Sequence, residues 1–260
     1  METPLAEIID RYTILKLKME AIDDYLSPDQ VIKEKPSLAK ELAFYGQAIE
    51  DFRQKGVEIK DVWITELYEI NAKCREMESN VRRYMNKTST LSRDEFEEIG
   101  KSAAMLPKFN KQRIAIKNEI AKKHKISSRR IKVPLSEIID RYTILKLKTE
   151  RMGDLTPDQV INERPFLEKE FESYNKAIDE FRRKGIKVEK KWIEKLYQNN
   201  AKAWDMESAI RHHKEKDLGF EEFGRRALKL RELNKERIAI KNEITKKSKT
   251  GFKEIKVFLK

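Results

Sequence analysis

The sequence predicts an all-α protein made of two tandem antiparallel helical-bundle repeats that form a pseudo-dimer. The stretch EIIDRYTILKLK occurs twice without a change, at Glu7–Lys18 and again at Glu137–Lys148. Leucine, isoleucine and phenylalanine recur at helical spacing, and no alternating strand pattern accompanies them. The eight glycines are scattered rather than gathered into phosphate loops, which excludes nucleotide binding of the P-loop or Rossmann kind.

The repeat extends through the whole chain. It runs at an offset of 130 over the opening helix, 129 in the middle, where Trp63 meets Trp192, and 124 near the end, where Arg113–Ile120 meets Arg237–Ile244 unchanged. The last shift places a shortened surface loop at Met85–Ser92. The expected domains are 1–133 and 134–260, each closing on Ile-Lys-Val (131–133 and 255–257), with room for a short strand there. Almost no linker separates them.

Within a repeat the punctuation is helical. Pro4 and Pro134 sit at the first position of the opening helix. Ser27-Pro28-Asp29-Gln30 and Thr156-Pro157-Asp158-Gln159 are capping boxes opening a short turn of helix. Pro36 and Pro165 are expected to restart the chain into a helix that stops at Gly56 or Gly185. A long helix then runs through the tryptophan to about Met85, and another from the Ser92-Arg93-Asp94-Glu95 box towards Lys123. Four main helices per repeat follow, plus the short turn.

Composition narrows the function classes. No apolar run approaches the roughly 18 residues of a membrane span, and the N-terminus lacks the order of a signal peptide, so a soluble cytoplasmic protein is expected. The single cysteine, Cys74, aligns with Ala203, which argues against a repeated thiol site. A net charge of +12 favours anionic partners, although a lysine-rich solvated helix face explains much of it. His124, His212 and His213 have no counterparts in the other copy, so neither a histidine base nor a zinc site belongs to the repeat. Glu66 and Glu69 have the spacing of helical magnesium-dependent pyrophosphatases, but the second copy carries Lys195 and Gln198. No metal and no cofactor are expected. Glu97 and Glu98 recur as Glu221 and Glu222 beside a phenylalanine, which the helix dipole explains.

Polar residues kept by both copies are the candidate site. On a helical wheel Asn71, Glu78 and Arg82 fall within roughly 40° of one another and repeat as Asn200, Glu207 and Arg211. In the last helix Arg113 projects from an apolar face, flanked by Asn110 and Lys117, and the second copy repeats them as Arg237, Asn234 and Lys241. Asp10 and Thr13, with Asp140 and Thr143, lie on an opening helix that is apolar on several sides. A guanidinium so placed needs a partner, because a buried charge left alone costs about 3–5 kcal/mol. One reading is bracing: Arg113 pairs with Glu78 or Asp10, and Asn71 and Asn110 bridge helices. The other is a cationic pocket in which Asn71, Arg82, Asn110, Arg113 and Lys117 hold a phosphate or carboxylate. At least three cations against the carboxylates Asp10 and Glu78 leave a positive surplus for an anion.

The motifs IIDRYTILKLK, WDMESAIR (204–211) and LNKERIAIK (233–241), in that order, resemble a small all-helical family of uncharacterised function from bacteria and phages. The family normally carries one unit of this length. The resemblance implies that Asp10, Thr13, Glu78, Arg82, Asn110 and Arg113 belong to its defining pattern. It brings no catalytic role, and Cys74-Arg75 stands where the motif has Ala203-Trp204.

The expected function is non-catalytic, sponge-like binding of a phosphate-bearing small molecule such as a nucleotide signal. The alternatives are a helical scaffold, or nucleic-acid binding through basic runs such as Lys122–Lys132, which lack interleaved aromatics. No membrane partner is expected.

Overall fold

The computed structural model describes residues 2–85, 87, 90–123, 128–130, 133–152, 157–212 and 215–251. Helices α1 (Leu5–Tyr25), α2 (Pro28–Gln54), α3 (Asp61–Arg83) and α4 (Arg93–Lys123) form the first copy. Helices α5 (Leu135–Glu150), α6 (Pro157–Arg183), α7 (Lys190–His212) and α8 (Glu215–Ser248) form the second. A two-stranded antiparallel ribbon joins β1 (Glu2–Pro4) to β2 (Ser128–Arg130), with Thr3 opposite Arg129. Among the Ile-Lys-Val segments, Val133 is not in a strand, and residues 131, 132 and 255–257 lie outside the described residues. Among the described residues no helix is long and apolar enough to cross a membrane.

The start and stop signals act as the local chemistry requires. The Ser27 hydroxyl accepts from Gln30 N, and the Gln30 side chain accepts from Ser27 N, so two orphan amides at the start of α2 are satisfied. Ser92 and Glu95 do the same for α4. At the end of α2, Gly56 adopts φ 75°, and Val57 N and Gly56 N donate back to Phe52 O and Arg53 O. Gly185 repeats this closure after α6, at the same φ.

Pro36 and Pro165 do not restart the chain. Each lies inside one continuous helix, so the expected short turn is the first part of α2 or of α6. A proline in a helix removes a donor and crowds the carbonyl four residues earlier. For Pro36 that residue is Ile32, which is 74% exposed, so water can serve the carbonyl.

The described residues divide into two compact units, one built from Glu2–Arg130 with Ile210–Lys229, the other from Ile131–Ala209 with Leu230–Glu254. Ile210–Lys229, which the expected boundary at 133/134 assigns to the second repeat, therefore groups with the first. Within that stretch α8 kinks at Gly219 (φ 66°, ψ 154°). In the first unit α1 packs on α2, α3 and α4, burying Ile8, Ile9, Leu15 and Leu17. In the second, Leu135, Ile138, Ile139, Ala177, Ile178, Trp192, Leu196 and Ile244 form the core. The opening helix is central to each unit because its apolar residues cover several sides.

Candidate functional site

At the centre of the first unit, Asp10 of α1 is 1% exposed. Helix α4 aims Arg113 at it, with Nε 2.7 Å from Oδ1 and Nη2 2.5 Å from Oδ2. This is the two-pronged geometry in which a guanidinium fits a carboxylate best. Helix α3 supplies Asn71, whose Nδ2 donates to Asp10 Oδ1 at 3.1 Å and to Thr13 Oγ1 at 3.0 Å. Thr13 Oγ1 in turn donates to the Asp10 carbonyl at 2.9 Å. One carboxylate thus ties α1, α3 and α4 together.

The second unit repeats the arrangement bond for bond. Arg237 Nε and Nη2 meet Asp140 Oδ1 and Oδ2 at 2.8 and 2.6 Å. Asn200 Nδ2 donates to Asp140 Oδ1 at 3.2 Å and to Thr143 Oγ1 at 2.9 Å, and Thr143 Oγ1 donates to the Asp140 carbonyl at 2.8 Å.

Lys117, Lys241 and Arg82 are also engaged. Lys117 Nζ lies 2.5 Å from Glu7 Oε1 and 3.8 Å from Asp10 Oδ2, and Lys241, 8% exposed at its side chain, lies 2.6 Å from Glu137 Oε1. Arg82 pairs with Glu78 along α3 at 3.1 Å. Sequence reasoning counted three cations against two carboxylates and overlooked Glu7 and Glu137. The signal was there, since each stands one helical turn before its aspartate on the same face. With Glu7 included, Arg82, Arg113 and Lys117 face Glu7, Asp10 and Glu78, and the positive surplus disappears.

Not every expected residue joins. Asn110 is exposed on α4 and Asn234 is half-buried on α8, and neither bonds to the aspartate cluster. Glu207 is exposed, and the side chain of Arg211 lies outside the described residues. Arg113 takes Asp10, not Glu78.

Burial alone would push the Asp10 carboxyl up, but the hydrogen bonds and charge of Arg113, helped by Lys117 and Asn71, hold it below the ordinary carboxylate value. For Arg113, burial pulls downward, and the bonds and charge of Asp10 hold it above its usual value. Each ion therefore keeps its partner ionised. General acid–base chemistry needs a group poised near the working pH, and a carboxylate held low by its own salt bridge is the opposite arrangement. Among the described residues no three His, Cys, Asp or Glu side chains are placed to share a metal ion.

The copies differ at the edge of this site. Trp63 Nε1 donates to Glu119 at 3.1 Å, whereas the equivalent Trp192 Nε1 is buried with no partner among the described residues. Asn199, in place of Ile70, donates to Glu236 at 3.1 Å and leaves its own buried Oδ1 unpaired. No protein-family model, curated protein or solved structure matches the chain.

Proposed function

We propose that the protein is a non-catalytic helical interaction scaffold, a covalent pair of like units whose inner ion network fixes helix register and whose charged outer faces carry the binding. The observation behind this reading is the matching of Arg113 and Lys117 by Asp10 and Glu7, and of Arg237 and Lys241 by Asp140 and Glu137. A phosphate entering either cluster would have to displace a carboxylate from a two-pronged bond, and that carboxylate would stay buried without its counter-ion. The net charge of +12 then belongs to the surface, where it favours an acidic partner.

The phosphate-binding reading keeps one foothold. The Arg113 and Arg237 side chains are 28% and 29% exposed, so each cluster reaches solvent at one edge. A thermal-shift screen against nucleotides, cyclic dinucleotides and sugar nucleotides at low and high salt separates the two. The scaffold reading expects no small anion to stabilise the protein once salt is raised. Salt-resistant stabilisation by one phosphate compound would overturn it, since a ligand at a hundredfold excess over its Kd adds about 2.7 kcal/mol.

A further inference from the structure

The shortened repeat offset hides a second relation between the copies. At an offset of 124 the pattern Phe-Glu-Glu-x-Gly-x-x-Ala stands at Phe96–Ala103 on α4 and again at Phe220–Ala227 on α8. Both segments belong to the same compact unit, and they cross there backbone to backbone. A Cβ built on Gly100 would lie 2.8 Å from the Phe220 carbonyl carbon and closer still to its oxygen. One built on Gly224 would lie 2.9 Å from the Phe96 carbonyl carbon, again with the oxygen nearer. Only glycine allows this approach at either position.

The contacts are reciprocal. Gly100 meets Phe220 while Gly224 meets Phe96, and these are equivalent pairs in the repeat. A surface whose residue i touches j while j touches i is the signature of two-fold, self-complementary pairing. Ile99, Ala103, Phe223 and Ala227 are buried around the crossing, with Val81 and Tyr84 from the end of α3. At its rim Arg225 lies over the Phe96 ring at 4.0 Å, Lys101 over the Phe220 ring at 5.9 Å, and Arg93 lies 3.7 Å from Glu221.

We infer that this segment is a homotypic docking surface: its partner is another copy of the same Phe-Glu-Glu-x-Gly-x-x-Ala helix, met here within one chain and supplied by a second chain at high protein concentration. This goes beyond the scaffold reading, which asks only for an acidic partner and would stand if the inference failed. The contacts at the crossing are the same for a tethered copy and a free one, and the tether adds effective concentration only. Each side supplies the same glycine, the same small alanine and a cation for the opposing ring.

The test uses the intact chain: an unlabelled and an isotopically labelled preparation are mixed at high protein concentration and examined by native mass spectrometry over a dilution series. Homotypic docking between chains expects mixed-label dimers that dissociate on dilution. Monomers alone at every concentration would overturn it. Gly100→Val with Gly224→Val should abolish pairing while circular dichroism keeps the helix content; pairing that persists would overturn the assignment to this crossing. Should the valine variant fail to fold, Arg93→Glu with Arg225→Glu changes only rim residues, whose side chains are 76% and 51% exposed. That variant should weaken pairing at least fivefold, and unchanged pairing would likewise overturn the inference.

Discussion

Replacing Arg113 by methionine keeps the side chain's apolar stem and removes only its charged fork. Two short bonds to Asp10 are lost, and the carboxylate, with its side chain 2% exposed, keeps only Asn71 at 3.1 Å and Lys117 at 3.8 Å. Breaking a buried pair from one side costs about 3–5 kcal/mol. For a unit of about 150 residues each kcal/mol moves the midpoint by roughly 2–4 °C, so melting should fall by about 6–20 °C at pH 7. The sign of the pH dependence is the sharper prediction. In the native protein the Asp10 pKa is lowered, so its contribution is fully present above the unfolded value of about 3.9 and is lost as pH falls through the lower folded value. In Arg113→Met, burial is no longer opposed by the guanidinium and the folded pKa rises above the unfolded one. Such a group favours folding less as pH rises, so the deficit should be largest at pH 7 and shrink towards pH 4. Calorimetry at pH 4, 5.5 and 7 measures this. A deficit below about 3 °C, or one that does not change with pH, would refute the claim that the pair holds the bundle together.

Asn71→Ala and Asn200→Ala should each cost about 1.5–3 kcal/mol, because each amide bridges an ionised carboxylate and a threonine; urea midpoints give the values. Trp63→Phe should cost roughly 1 kcal/mol more than Trp192→Phe, since only the first removes a hydrogen bond while the second removes an unpaired donor. Equal losses in the two variants would mean that Trp192 has a partner.

The helices and their ends were legible because their signals are local. Ser27 with Gln30, Ser92 with Glu95, and the glycines at 56 and 185 each act within one turn of chain. The buried cluster was half legible. Two copies that drifted elsewhere kept Asp10, Thr13, Asn71 and Arg113, and a helical wheel brings them to inner faces. The exact partners depend on how three helices meet, and a wheel of one helix carries no such information; hence the omission of Glu7 and the inclusion of Asn110. Pro36 misled because its rule concerns the helix interior, while the carbonyl it crowds lies on an exposed face. The Gly100–Gly224 crossing stayed hidden because the neighbouring Glu97 and Glu98 already had an explanation in the helix dipole. The unchanged dodecapeptide is now accounted for: Glu7, Asp10 and Thr13 bind residues of α3 and α4, and Lys16 lies 5.2 Å from the centroid of the Tyr68 ring.

The place where the copies disagree offers a control on this reasoning. Ile70 and Asn199 are equivalent and both 5% exposed, so the same interior position is apolar in one unit and polar in the other. Asn199 gains one bond, to Glu236, an exposed carboxylate that water could serve as well. It leaves Oδ1 buried and unpaired, which costs about 1–3 kcal/mol. Asn199→Ile should therefore stabilise the second unit by about 1 kcal/mol once the lost bond is subtracted. In a unit of about 100 residues that raises the midpoint by roughly 4–8 °C. The reverse change, Ile70→Asn, should destabilise the first unit, because its equivalent of Glu236 is Gln112, a neutral and weaker acceptor. If instead Asn199→Ile lowered the midpoint, Oδ1 would have to bind something that the isolated chain does not hold, and α7 rather than the aspartate cluster would be the place to look for a ligand.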